Sequence, residues 1–357
     1  MLLGAVKFLP NRVWRVYSGG GGIDRLRGVS PACDGHFPED WIASTSRANN
    51  PQHPGADQGL SRVELPGEGP VLFQDYLARD PQAALGERHW RKFGANAALL
   101  MKILDAAERL PIQCHPTVAD ARRCFHSDFG KTEAWYVIAA REVCGPKPYL
   151  LVGFNETLDE KQFRAEALSG VFFRGETMLH KFAVKPGDRF LIRGGLPHAI
   201  GCGVTLIEVM EPSDLVIQPE LRCGTQPLSE AERWSGATPL DALGCFDYTP
   251  LGEAETRRRN IPEPVWLDDS LQVVIPRRLA RYFEVQKMVC TAGYTLHNKE
   301  QCHRAGVVIR GELRLFDGVR ELPLRSGDAF FLPYALEQVE FDGEGEVIFA
   351  LPPLIEP

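Results

Sequence analysis

A chain of 357 residues is long enough for roughly two domains. Its 40 Lys+Arg against 47 Asp+Glu leave a net charge of −7 with no basic block able to track a phosphodiester backbone, which excludes nucleic acid as a partner. With 44% hydrophobic and 24% charged residues, the composition is that of a globular chain, neither disordered nor fibrous.

The apolar stretch Ala95 to Leu100 is broken by Lys102 and Asp105, well short of the ~20 residues needed to cross a bilayer, so no membrane span is expected. Met1 to Val6 is apolar but is followed by Lys7 and Arg12, the wrong order for a secretory signal. Nine cysteines without a C-x-x-C suit neither a disulfide framework nor a thiolate zinc ribbon. A cytoplasmic location is the expectation.

The 34 Gly and 27 Pro punctuate short Val/Ile/Phe/Leu runs, which predicts a mainly β protein of short strands and tight turns. Helical periodicity interrupts this pattern over Glu87 to Leu110 and again over Leu158 to Gly170. A third helical segment, Ser229 to Leu243, opens with Ser229 and Glu232 at capping-box spacing. The polar Arg257-Arg-Arg stretch and Pro262/Pro264 then read as turn-rich linker. The expected organisation is residues 1–228, a connector over 229–264, and residues 265–357.

An internal similarity links the two larger parts. Lys185-Pro-Gly-Asp-Arg-Phe-Leu-Ile-Arg-Gly-Gly-Leu-Pro-His198 aligns without a gap to Arg325-Ser-Gly-Asp-Ala-Phe-Phe-Leu-Pro-Tyr-Ala-Leu-Glu-Gln338. Each copy is a turn, a strand and a second turn. Gly187-x5-Arg193-x-Gly195-x2-His198 resembles the second cupin motif, with Arg193 where a Pro is usual. The resemblance implies two cupin-like jelly-roll barrels with helical additions. Because Gln338 stands where His198 does, only the first barrel is expected to bind metal.

The chemistry is expected in that first barrel. Leu110-Pro-Ile-Gln113-Cys-His115 reads as a strand, so Gln113 and His115 share a face. Glu133 opens the apolar run Glu133-Ala-Trp-Tyr-Val-Ile eighteen residues later, and His198 adds a second imidazole. A lone His in a β protein is usually a hydrogen-bonded structural residue. Two His and a Glu together, with Gln113 as a possible fourth, are instead a nitrogen and oxygen donor set that suits Zn²⁺. Alternation over Val204 to Glu211 sets Glu208 among apolar neighbours, as a base or a structural carboxylate. Lys102 and Lys131 are candidates to hold a substrate oxygen or phosphate, or else ordinary salt-bridged lysines.

These stretches, with Glu39-Asp-Trp41, Leu100-Met-Lys-Ile-Leu-Asp105 and Leu206-Ile-Glu-Val-Met-Glu-Pro-Ser-Asp214, resemble the type I mannose-6-phosphate isomerases in order and spacing. The resemblance runs from about Glu39 to the C-terminal barrel. It implies interconversion of mannose 6-phosphate and fructose 6-phosphate with one Zn²⁺ per chain, held by His115, Glu133 and His198, with Gln113 as fourth ligand in part of the family. It also implies a small sugar-phosphate substrate and an acidic active-site residue at Asp214, the second candidate for the catalytic base after Glu208. Two positions depart from the family pattern: Gln218 stands where an Arg is usual four residues after Asp214, and Pro111 where a Ser is common. Arg222, four residues beyond Gln218, is the candidate replacement for the missing guanidinium, and Gln218 remains a candidate substrate contact. The alternatives are an isomerase of another sugar and a sugar-binding cupin without turnover. An iron-dependent dioxygenase would share the two-His-plus-carboxylate set.

Overall fold

The computed structural model describes residues 3–143, 145, 147–169 and 174–355. Strands dominate. An antiparallel six-stranded sheet runs in the order Arg189–Ile192, Glu133–Ala140, Val204–Met210, Leu100–Asp105, Glu39–Ile42 and Arg12–Val13. A three-stranded sheet holds His198–Ile200, Tyr149–Phe154 and Leu179–Ala183. Leu104, Trp135, Val137 and Leu206 of the first sheet share a buried cluster with Leu150, Val152, Phe182 and Ile200 of the second. The alternate residues of the six-stranded sheet, among them Met101, Ile103, Tyr136 and Ile207, share another apolar layer with Val285, Val307, Phe331 and Ile348 of the C-terminal sheet. The central sheet is thus covered on both faces.

That double burial accounts for one departure from the sequence reading. The helix predicted over Glu87 to Leu110 stops at Phe93, and Leu100–Asp105 is a strand whose six residues are all buried. A strand apolar on both faces loses its period-two signature and resembles a buried helix segment. Gly94 at φ 66° closes the short helix, a conformation that glycine adopts freely. Leu158 onward is helical over Glu160–Ser169; Gly170, the expected stop, lies outside the described residues. Ser229 to Leu243 forms two short helices, Glu230–Trp234 with the expected capping box and Pro239–Leu243. The arginine stretch read as linker is the last turn of a helix, Glu253–Asn260, tied by ion pairs from Arg258 and Arg259 to Glu255. Cys202 is disulfide-bonded, unlike the seven free cysteines among the described residues. No helix among the described residues is long and apolar enough to cross a membrane.

The C-terminal sheet has nine strands, and its long partners Arg304–Phe316 and Gln338–Leu351 form its centre. Val6–Lys7, from the start of the chain, pairs with its strand Ala329–Leu332. The internal similarity is visible atom by atom. Arg189–Ile192 and Ala329–Leu332 begin at the same offset in the two copies. Gly187 and Gly327 take φ 93° and 86°. Asp188 accepts the Lys185 N–H at 2.9 Å, as Asp328 accepts that of Arg325 at 3.0 Å.

Strand registers extend the correspondence. Ile192 lies opposite Glu133, and Leu332 opposite Arg304. Trp135 faces Glu208 and Gly306 faces Phe349; Glu208 in turn faces Lys102, and Phe349 faces Gln286. The second copy therefore carries Arg304, Phe349, Gln286 and Gln338 where the first has Glu133, Glu208, Lys102 and His198. Arg304 is buried, with its guanidinium on Gln286 at 2.9 Å and on Glu300. A built-in cation satisfies that position.

Candidate metal centre and cavity

Three side chains from separate segments meet inside the first copy. The Pro111 to His115 segment runs extended, its Gln113 exchanging both backbone hydrogen bonds with His198 at 2.9 Å. Cys114 bridges Ile217 on the other side. Glu133 begins its strand beside a loop held by Glu211, whose carboxylate accepts the N–H groups of Gly130 at 3.2 Å and Thr132 at 2.8 Å. Burial pushes the Glu211 carboxyl up to about 7.

The ligand atoms of His115, Glu133 and His198 lie within 4.8 Å of one another, and all three side chains are buried. Each imidazole is oriented from behind: Nδ1 of His115 meets the Leu215 carbonyl at 2.9 Å, and Nδ1 of His198 meets that of Leu196 at 2.8 Å. A carbonyl only accepts, so Nδ1 carries the proton and Nε2 presents its lone pair. Both lone pairs face the carboxylate, His115 Nε2 at 3.2 Å and His198 Nε2 at 3.4 Å from Glu133. Among the described residues, neither Nε2 nor either Glu133 oxygen has a hydrogen-bond partner. Burial pushes His198 down to about 3 and also lowers His115, with Lys131 adding to the effect, so both rings stay neutral. Burial opposes ionisation of Glu133, but the Lys131 ammonium, 3.6 Å away, helps to hold the carboxyl below its usual range. Four converging acceptors buried without a donor are unfavourable unless a cation is shared among them. The donor set fits a divalent metal, and the orienting carbonyls behind both rings are what imidazole ligands commonly have.

Lys131, with Nζ 3.6 Å from Glu133, and Gln113 link this group to a cavity of about 80 Å³. Lys102, Glu208, Asp214 and Gln218 line the same cavity. The Lys102 ammonium lies between Glu39 at 3.4 Å and Glu208 at 3.2 Å, 4.7 Å from the centre of the Trp41 ring. Burial works against its charge, but Glu208 and Glu39 outweigh that and raise its pKa. Glu208 is pushed up to about 7 by burial and by the nearby Glu133 charge.

The remaining expected residues fall differently. Asp214 is clamped: Arg15 reaches its two oxygens at 2.7 and 3.1 Å, and the Asn49 N–H donates to it at 2.7 Å. Gln218 turns its amide to the Glu232 carbonyl at 3.1 Å. Arg222 does not reach the cavity: it is exposed in a hairpin with Gln226–Pro227, its guanidinium bonded to the Thr225 carbonyl. The guanidinium lining the cavity is that of Arg15, from the opposite end of the chain, which sequence reasoning missed. So was the role of Glu39, which accepts from Arg15 at 3.0 Å, Tyr17 at 2.7 Å and Trp41 at 2.7 Å. Glu39 stood at the start of the family resemblance; Arg15 carried no signal, being one arginine in Arg12-Val-Trp-Arg15.

Comparison with known proteins adds independent findings. The family model for the mannose-6-phosphate isomerase cupin domain matches residues 278–352. Mannose-6-phosphate isomerase ManA of Bacillus subtilis (strain 168) is 29% identical over 271 residues, 74% of this chain and 79% of that one. The mannose-6-phosphate isomerase of Streptococcus mutans serotype c is 28% identical over 282 residues, 75% of this chain and 79% of that one. Among solved structures, the mannose 6-phosphate isomerase of Bacillus subtilis superposes with a TM-score of 0.74 at 19% identity, covering 98% of this chain and 99% of that one. A variant of the phosphomannose isomerase of Salmonella typhimurium gives 0.75 at 16% identity, covering 99% and 100%. At such identities the structural likeness speaks for the fold.

Proposed function

Because the chain belongs to the type I phosphomannose isomerase family of the cupin class, whose members are aldose–ketose isomerases, we propose that it interconverts mannose 6-phosphate and fructose 6-phosphate with one bound Zn²⁺. The observation that carries this reading is the convergence of four partnerless acceptor atoms on His115, Glu133 and His198 beside a cavity lined by Lys102 and Glu208. His115, Glu133 and His198 would hold the metal, with Gln113 as fourth ligand. When bound, Zn²⁺ supplies Lewis-acid polarisation of the sugar's carbonyl and adjacent hydroxyl oxygens.

The chain's own residues do the rest. Glu208, balanced near neutrality by burial, takes the proton from one carbon and returns it to its neighbour, passing the sugar through an enediolate, while the hydroxyl proton moves from one sugar oxygen to the former carbonyl oxygen. Lys102, 3.2 Å from Glu208, and Lys131, 3.6 Å from Glu133, donate hydrogen bonds to sugar oxygens as negative charge develops on them. Asp214, with both oxygens committed to Arg15, is better suited to anchoring than to proton transfer. Gln218 offers a neutral contact in the wall.

In this reading residues 1–228 form the catalytic cupin domain with helical insertions, 229–264 the connector, and 265–357 a degenerate cupin-like domain, giving two jelly-roll barrels. We assign the chain to the cytoplasm. The test is direct: metal-loaded protein is assayed for conversion of mannose 6-phosphate into fructose 6-phosphate, and absence of conversion sinks the proposal. One observation favours a sister reading, an isomerase of another sugar: each cavity-lining cation, Arg15, Lys102 and Lys131, already faces a carboxylate. A panel of aldoses with and without phosphate separates the two.

A further inference from the structure

The cavity encloses about 80 Å³, whereas pockets that enclose small organic ligands usually measure ~300–1,000 Å³. Part of its lining comes from a surface loop. The Ala48 N–H donates to the Gln58 carbonyl at 2.9 Å, closing a loop whose ends are adjacent, and Arg47 ties the same base through the Ala56 carbonyl at 2.6 Å. Such loops with joined ends are compact units that often carry function. Residues 51–57 are all exposed. Asn49 and Asn50, at the leading edge, line the cavity themselves.

The loop is fastened to the cavity rim at a few points spread over three segments. The Asn49 N–H binds Asp214 at 2.7 Å. Asn50 accepts from Arg15 at 3.2 Å and donates to the Trp14 carbonyl at 2.8 Å. Gln52 donates to Glu232 at 2.7 Å, on the helix Glu230–Trp234. The His53 ring lies 3.8 Å from that of Trp14, centre to centre. Arg15 joins these attachments: one guanidinium holds Asn50 of the loop, Asp214 of the rim and Glu39 of the buried sheet.

We propose that the Ala48–Gln58 loop is a lid over the cavity and that Arg15 is its clasp, a positioning residue that couples lid closure to the charged wall carrying Lys102 and Glu208. Substrate enters when the Asn50 and Gln52 attachments release, and closure over it excludes water from the proton-transfer step. The lid and clasp are structural claims; only their kinetic consequence rests on the isomerase reading.

The test uses the full, metal-loaded chain. Trypsin cleavage after the exposed Arg47 and amide exchange over 48–58 are followed in wild type, Arg15→Gln, Arg15→Lys and Gln52→Ala, with and without mannose 6-phosphate. Loss of a charge-assisted hydrogen bond is expected to speed cleavage about tenfold in Arg15→Gln, and less in Arg15→Lys and Gln52→Ala. Mannose 6-phosphate is expected to slow cleavage in wild type and to do so less in Arg15→Gln. In the isomerase assay Arg15→Gln raises KM and lowers kcat together, and Arg15→Lys recovers part of both. Equal loop cleavage and exchange in wild type and both Arg15 and Gln52 variants overturns the clasp. Acceleration that is the same at tryptic sites throughout the chain also overturns it, by reducing Arg15 to a general stabilising residue. A clasp-dependent loop in a protein that leaves mannose 6-phosphate unconverted refutes the catalytic reading and leaves the lid standing.

Discussion

Replacing Glu133 by Gln keeps the volume of the side chain and removes the charge on which two imidazole lone pairs converge. Each of the four partnerless acceptor atoms, if left without a cation, carries a penalty of ~1–3 kcal/mol, so ion binding relieves a strain of several kcal/mol. At a free metal concentration ~1,000 times Kd, binding stabilises the native state by ~4 kcal/mol. With an unfolding entropy of ~2.1 cal/mol/K per residue, a chain of 357 residues converts that into a melting-temperature difference of ~5 °C between zinc-loaded and chelator-treated protein. Glu133→Gln should abolish the difference and retain less than ~0.1 metal per chain after desalting, because a neutral amide replaces the anionic ligand. Thermal denaturation paired with elemental analysis measures both. Were the variant to keep stoichiometric metal and the full melting difference, the centre described above could not be where the ion binds.

Glu208→Gln should lower kcat by ~10²–10⁴-fold while leaving metal content unchanged; metal loss would recast Glu208 as part of the ion's support. Since a base must be deprotonated to act and Glu208 is raised to about 7, kcat/KM of wild type should climb with pH on a limb at or somewhat below pH 7, the bound cation drawing it downward. A profile flat from pH 5 to 8 would contradict this assignment. Glu211→Ala should release the Gly130 and Thr132 N–H groups and destabilise the chain by ~2 kcal/mol in urea unfolding, with weaker metal binding because Glu133 follows that loop. Arg304→Ala should be destabilising by ~3–5 kcal/mol, since it strands Glu300 beside a buried position. Its metal content should equal that of wild type, and a change would mean that the second copy also takes an ion.

Legibility in the sequence followed the reach of local pattern. Gly187-Asp188 and Gly327-Asp328 could be recognised because the turn chemistry is carried by adjacent residues, and both turns form with the same Asp-to-backbone bond. His115, Glu133 and His198 were identifiable from their residue types beside apolar runs, and the fold brings them together. Leu100–Asp105 was misread because its environment, sheet on one side and a second sheet's apolar layer on the other, is set by residues hundreds of positions away. Arg15 was invisible for a related reason. Its partners are Glu39, Asn50 and Asp214, and no spacing within the N-terminal segment encodes a bond to position 214. Arg222 misled in the opposite way, since nearness to Asp214 in sequence suggested a reach that the hairpin directs outward.

The exchange of a glutamate in one half for an arginine in the other bears on how the molecule is assembled. Arg304 brings its own positive charge along the polypeptide, so the C-terminal half can complete its interior without recruiting anything from solution. That half then offers a finished apolar wall against which the central sheet of the other half can settle. On the zinc reading proposed above, the demand for an ion from solution would then fall on the N-terminal half alone.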